Sequence, residues 1–305
     1  MEFKSKQFVF SGAAPTPLDQ VLKLEFPGAS WGAVRKLVET GKITVNGAVV
    51  RDNRIQVRPG SALELQMTRP KATAPADPRL LYVDQHVVVA NKPTGIASVD
   101  HEAEPTSLQT ELKKSLEGIE RRKLPPLKVV HRLDKVTSGV MVFARTTAAQ
   151  LDLKEQFRAH TTGRVYLAVA HGEVRSGTLS FRLVRDRGDG VRGVTKNPNL
   201  GYTSVTHVRA REHFARCTLI ECKLETGRTH QIRIHLAEIG HPLVGEPLYV
   251  RDYREPLIAC DRTLLHAAQL SFTHPEFRNT RRYEVPLPPE FEAFLAKERK
   301  QKPKD

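Results

Sequence analysis

The chain has 305 residues, room for one large domain and one small one, and sets 48 Lys and Arg against 34 Asp and Glu, a formal charge of +14. That excess makes a polyanion the first partner to consider. The 39% hydrophobic content fits a soluble globular protein, and no apolar run reaches the ~18 residues of a membrane span, so a spanning helix is excluded. Cys217, Cys222 and Cys260 form no CxxC pair and are odd in number, which argues against a disulfide framework and for a reducing compartment. Phe8-Val9-Phe10 is too short for the core of a signal peptide, so the expected location is the cytoplasm.

Residues 15–66 read as a small module. Leu18, Val21, Leu22 and Leu24 predict a first short helix. Trp31, Val34, Leu37 and Val38 predict a second, with Ser30 as its N-cap and Gly41 just past its end. Ile43-Thr44-Val45, Asn46-Gly47 and Ala48-Val49-Val50 predict a hairpin, and Ala62 to Leu65 a final strand. Arg35, Lys36, Lys42 and Arg51 are interspersed among these elements. The arrangement resembles the S4 RNA-binding domain, on Val34-Arg35-Lys36-Leu37 and Gly41-Lys42-Ile43-Thr44-Val45-Asn46-Gly47. The resemblance implies that the four cations contact RNA; a merely solvated face is the alternative.

Residues 67–78, with Pro70, Pro75 and Pro78, read as a semi-extended linker. Beyond it strands and helices alternate over 79–292. Strands are expected at Leu80 to Val83, Val87 to Ala90, Val129-Val130, Val140 to Ala144, Val165 to Ala170, Thr203 to Arg211 and Cys217 to Leu224. Helices are expected at Ser107 to Leu116, at Thr147 to His160 with Leu151, Leu153 and Phe157 as its apolar residues, and at Thr229 to Ile239 with Ile232, Leu236 and Ile239 on one face. Residues 293–305 read as a frayed basic tail.

Two motifs carry the chemistry. His131-Arg132-Leu133-Asp134-Lys135-Val136-Thr137-Ser138-Gly139 sets one carboxylate among cations on a turn entering an apolar strand. An acid there is either an inert ion-pair partner or an oriented nucleophile or base. Gly227-Arg228-Thr229-His230-Gln231-Ile232-Arg233-Ile234-His235 is the second. Its histidines do not make a metal site: His230 and His235 diverge by roughly 140° around a helix, and no HExxH is present.

Together with Asn91-Lys92-Pro93-Thr94-Gly95, Gly163-Arg164-Val165-Tyr166, Gly240-His241-Pro242-Leu243-Val244-Gly245-Glu246-Pro247-Leu248-Tyr249 and Leu265-His266-Ala267, these motifs resemble pseudouridine synthases of the RluA type over about residues 80–290. Arg164 stands for the family's usual lysine and Glu246 for its usual aspartate. The resemblance implies an α+β protein, an S4-like module followed by a catalytic domain with a bent, largely antiparallel mixed sheet. A cleft between the sheet's halves would hold the flipped uridine.

It also implies the reaction: a uridine C–N glycosidic bond is broken and remade as C–C. No redox change occurs, so no cofactor is expected. Asp134 would attack the sugar, attack the base or remove a sugar proton; the sequence leaves the three routes open. The family's arrangement makes Arg233 the charged partner of Asp134, through a bidentate fork, with Arg228 as rival. Tyr166 would stack on the target base and serve as a late base, unless it is simply core. Ile232 would form an apolar wall, and Arg132 would fill the space of the flipped base or bind a phosphate. His131, grouped with these substrate-side residues, would order the turn by hydrogen bonding. The expected partner is structured RNA, ribosomal rather than transfer RNA, bound by a monomer. A non-catalytic RNA-binding or ribosome-assembly protein is the competing reading, and a glycosidase with paired carboxylates a weaker one.

Overall fold

The computed structural model describes residues 3–50, 53–67, 77–100 and 106–301. The chain divides into two units, Met1–Pro78 and Arg79–Asp305. Most of the expected linker, and Arg51, lie outside the described residues. Among the described residues no helix is long and apolar enough to cross a membrane.

In the first unit β1 (Lys6–Val9) and β2 (Thr16–Pro17) precede α1 (Leu18–Glu25) and α2 (Trp31–Glu39); β3 (Ile43–Val45), β4 (Ala48–Val49), β5 (Gln56–Val57) and β6 (Ala62–Leu65) follow. The order β1-β6-β3-β4 forms one antiparallel sheet, and β2 pairs with β5. Ser30 caps α2, its hydroxyl accepting from Ala33 N at 3.1 Å. Asn46 and Gly47 have φ of 50° and 77°, the left-handed pair that a two-residue hairpin turn of type I′ requires. The core joins Leu18, Val21 and Leu22 of α1 to Val34, Leu37 and Val38 of α2 and to Ile43, Leu63 and Leu65 of the sheet. Two residues counted with the apolar helix faces are not in it. Leu24 is 71% exposed because it lies about 200° around the helix from Leu22, and Trp31, 45% exposed, overhangs the first turn of α2.

The second unit opens with β7 (Leu80–Val83), β8 (Val87–Lys92), α3 (Leu108–Glu120), β9 (Lys128–Val129), β10 (Ser138–Ala144) and α4 (Thr147–Arg158). It continues with β11 (Gly163–His171), β12 (Gly177–Val184), β13 (Gly193–Thr195), β14 (Tyr202–His213), β15 (Cys217–Leu224) and α5 (Gln231–Glu238), and closes with β16 (Leu265–Thr273), β17 (Thr280–Glu284) and α6 (Pro289–Lys300). One large mixed sheet runs β13-β12-β14-β15-β11-β16-β10-β8-β7, with β17 on β16 and β9 on β10. Every pairing is antiparallel except β10 with β16.

That parallel contact explains the glycine that ends the acidic motif. Gly139 has φ 119°, and a Cβ there would sit 2.2 Å from the Ala267 carbonyl oxygen, so any side chain would push β16 away. A register shift between Val165 and Tyr166 of β11 leaves Ala268 as an extra residue in β16.

Strands β12, β13, β16 and β17 add to the elements read from the sequence, as does β1. Two helical expectations are corrected. Leu151 of α4 is 65% exposed; Ala149 and Leu153 are buried, and Leu151 stands about 200° from Leu153. Residues 293–300 are not a tail but part of α6, whose Phe291, Leu295 and Glu298 are buried at i, i+4 and i+7. Arg299 fixes this helix to Glu212 of β14 through hydrogen bonds of 2.9 and 2.7 Å.

Candidate active site

The acidic motif forms the loop between β9 and β10, where Thr137 N donates to Asp134 O at 3.0 Å and closes a turn. The segment after β8 holds this turn from outside. Ser98 Oγ donates to Leu133 O at 2.7 Å and accepts from Leu133 N at 3.0 Å. Gly95 N donates to Lys135 O, and Thr94 Oγ1 to Val136 O. Lys92, fully buried, donates to the carbonyls of Pro93, Ile96 and Lys135 at 3.1, 2.8 and 3.3 Å. Burial pushes its pKa down to about 7, with Asp134 acting in the opposite direction. The Asn91–Gly95 motif therefore braces the turn that carries Asp134.

His131 is also a brace. Its Nε2 accepts from Val142 N of β10 at 3.1 Å, and its ring stacks on Phe157 of α4 at 4.4 Å. Desolvation pushes its pKa down to about 3, so the imidazole is neutral.

The second motif supplies the opposing wall. Gln231 accepts from Arg228 N at 3.0 Å and Thr226 Oγ1 at 2.7 Å, and donates to Val205 O and Thr206 Oγ1. This fixes the loop before α5 against β14. Residues Gln231 to Leu236 are all buried, so α5 is enclosed on several sides rather than on the one face expected.

Arg233 is 3% exposed, and its Nη1 lies 3.5 Å from Asp134 Oδ2. The fork expected on Asp134 is spent elsewhere: Arg233 Nε and Nη2 donate to Glu246 Oε2 and Oε1, both at 2.7 Å. The reason is burial, because a guanidinium in the interior needs a full counter-charge. Burial works against its charge, but the Glu246 hydrogen bonds and the charges of Glu246 and Asp134 outweigh it and hold its pKa above the ordinary value. Arg228, the rival partner, is exposed, with its guanidinium 4.8 Å over the Tyr202 ring.

These walls enclose a cleft of ≈ 1250 Å³ lined by Arg132, Asp134, Tyr166, Arg228, Ile232 and Arg233 among others. It exceeds what one nucleoside fills, which suits a polymer entering with a base turned inward. Arg132 is exposed beside Asp134, while Tyr166 and Ile232 are buried in the lining. Desolvation pushes the Tyr166 hydroxyl up to about 12, with Arg164 opposing, so it is a neutral phenol at physiological pH. Its ring is then the part available to a base, and removing a proton would need a shift during the reaction.

In the first unit, Arg35 Nε lies 3.4 Å from Asp19 Oδ2 and its guanidinium 5.9 Å from the Trp31 ring, and Lys36 is exposed. Lys42 donates to Met67 O at 2.7 Å, which turns it toward the backbone of its own unit. Sequence reasoning missed Lys92, Ser98, His230 and Tyr249 as parts of the site. All four lie inside quoted motifs or beside them, but only the folded contacts reveal what they hold.

Comparison with known proteins follows the same division. The model of the RNA pseudouridylate synthase family matches residues 86–238, and that of the S4 domain residues 16–63. A ribosomal large subunit pseudouridine synthase D of Xylella fastidiosa is 36% identical over 96% of this chain and 92% of its own length. A protein of Bacillus subtilis described as an uncharacterized RNA pseudouridine synthase, YlyB, is 36% identical over 88% of this chain and 89% of its own. Among solved structures, human RNA pseudouridylate synthase domain containing 4 superposes with a TM-score of 0.61 at 23% identity, covering 74% of this chain and 94% of that one; it supports the fold. The braced aspartate, its arginine neighbour and these matches lead to one conclusion: the chain belongs to the RNA pseudouridylate synthase family and carries an S4 domain ahead of its catalytic domain.

Proposed function

We propose that this enzyme isomerises uridine in large-subunit ribosomal RNA, with Asp134 as the reacting carboxylate. The observation that carries the assignment is the setting of Asp134. It lies in a cleft roomier than one nucleoside, 3.5 Å from the buried, permanently charged Arg233, and shares the lining with Tyr166. The 3.5 Å separation is too long for a strong hydrogen bond, so the carboxylate lone pairs stay free to react. Tyr166 would stack on the flipped base, Ile232 would add apolar wall, and Arg132 would offset part of the few kcal/mol that flipping costs.

The ribosomal substrate is suggested by the printed names of several relatives, and a cytoplasmic location goes with it. The S4 domain would tether the enzyme to structured RNA through Arg35, Lys36 and Arg51. Pseudouridine mapping of total RNA tests the reading, in cells lacking the gene and complemented with wild type or Asp134→Asn. One or a few uridine sites should lose modification and regain it only with wild type. Restoration by Asp134→Asn would remove Asp134 from the chemistry, and a lost site in transfer RNA would replace the substrate.

A further inference from the structure

Arg233 faces Oδ2 of Asp134; the other oxygen has a different neighbour. His230 Nε2 lies 3.8 Å from Oδ1. The other ring nitrogen, Nδ1, is 2.6 Å from the Tyr249 hydroxyl, with the two rings 5.6 Å apart and at 74°. Tyr249 is itself fixed by the groups that fix Arg233. Its ring lies 5.2 Å from the Arg233 guanidinium, and its backbone N–H points at Glu246 Oε1 from 3.4 Å. His230 has φ 59° and ψ 18°, a left-handed conformation unfavourable for a residue with a Cβ. Such strain at a cleft residue asks for a functional reason.

We propose that His230 is a positioning residue for Asp134, set in one tautomer by the Tyr249 hydroxyl so that its Nε2–H faces the carboxylate. This inference rests on Asp134 being the reacting group. Desolvation lowers the imidazole pKa, against the pull of Asp134, and raises that of Tyr249 to about 12. A neutral ring meets a hydroxyl that keeps its proton. One ring nitrogen must then accept and the other donate. If Nδ1 carried the proton, the Nε2 lone pair would face the charge of Asp134; if Nδ1 accepts from Tyr249, a donor faces it instead. Glu246, Arg233 and Arg192 are the other charged groups acting on the ring; Glu246 favours its protonation and the two arginines oppose it. Two donors at the start of α5, His230 at its N-cap and Arg233 in its first turn, thus bracket the two carboxylate oxygens, and neither is close enough to tie up the lone pairs.

The tautomer is read directly by ¹⁵N NMR of histidine-labelled full-length protein, with His230→Gln identifying the signal. Wild type should show His230 protonated at Nε2, and Tyr249→Phe a mixture of tautomers. Single-turnover rates on an unmodified transcript of large-subunit ribosomal RNA should fall about 100-fold in His230→Ala, the scale of losing one aligned donor, with RNA affinity changed less than about twofold. His230→Gln, whose amide N–H reaches the Nε2 position, should recover about tenfold of that loss. A wild-type ring protonated at Nδ1, or a rate unchanged in His230→Ala, overturns the inference; so does a loss that Gln fails to rescue. Asp134→Asn run alongside separates the two ideas: if it turns over at the wild-type rate, the reading of Asp134 has failed as well. If His230→Gln does not fold, the histidine signal that Tyr249→Phe perturbs identifies His230, and the wild-type spectrum still decides.

Discussion

The two units of this protein use positive charge in opposite ways. In the S4 unit Arg35 and Lys36 stand in solvent, and Arg35 is steadied by a 3.4 Å ion pair to Asp19 and by the Trp31 ring 5.9 Å away. In the catalytic unit Lys92 and Arg233 are buried, each with several hydrogen bonds, and both act on Asp134. Exposed cations are screened by salt and contribute affinity to any phosphate backbone. Buried ones are held inside by Glu246 and by backbone carbonyls, and they brace the turn and the wall around a single acid. On the proposed function, exposed Arg35 and Lys36 belong to binding and buried Lys92 and Arg233 to the setting of Asp134, a division that mutation can test.

The largest separation is expected from Asp134→Asn. Pseudouridine formation on a ribosomal RNA transcript should fall by about 10³-fold or more while RNA affinity stays within about twofold. An equal loss in both would erase the division. Next comes Glu246→Ala, which takes the fork partner from buried Arg233 and leaves it, among the carboxylates of the described residues, only the 3.5 Å contact with Asp134. It should cost about 3–5 kcal/mol in chemical denaturation, as breaking a buried ion pair does. A loss below about 1 kcal/mol would show that the Arg233–Glu246 pair is solvated and not the brace described.

A smaller effect is expected from pH. Burial lowers the pKa of His131 to about 3 and those of His235 and His266 to about 4, against an ordinary value near 6.5. Below pH 6.5 the unfolded chain takes up protons on these rings while the folded chain does not, so stability should fall as pH drops from about 6.5 toward 4. His131→Gln should make the fall in melting temperature over that interval shallower, and an unchanged slope would count against a neutral His131. The smallest effect belongs to Arg35→Ala/Lys36→Ala. It should reduce the slope of log affinity against log salt by about 1–2, with the rate on saturating RNA unchanged. A steeper loss of rate than of binding would break the comparison from the other side.

How much of this was legible depended on the range of the interactions. The hairpin at Asn46-Gly47, the Ser30 cap and the core strands of both units follow from local propensity and period. Asp134 and Arg233 were legible because their motifs resemble a known family. The finer arrangement was not. Arg233 was expected to fork onto Asp134, but its fork goes to Glu246, thirteen residues on, because a buried guanidinium needs a carboxylate more completely enclosed than a reactive one can be. Leu151 and Leu24 count as apolar in any local window, and only the packing of the whole unit shows that they face outward. The polar end of the chain hides a helix because its three buried residues are few among many charges. His230 carries no local signal beyond its motif; its partners come from the loop around Tyr249 and the turn at Asp134.

The parallel pairing of β10 with β16 sets an order of events for a growing chain. Asp134 is made early, yet the strand that follows it finds its parallel neighbour only when Leu265–Thr273 has been added. Ser138, four residues after Asp134, also waits for His266, whose Nδ1 lies 2.8 Å from its hydroxyl. A nascent or truncated chain ending before that strand contains every residue of the acidic motif and its braces from β8 and the segment after it, but lacks β16 on the other side of β10. Such a fragment can already expose an S4 domain to RNA while its β10 still lacks that neighbour, so a complete centre reports that synthesis has passed Thr273.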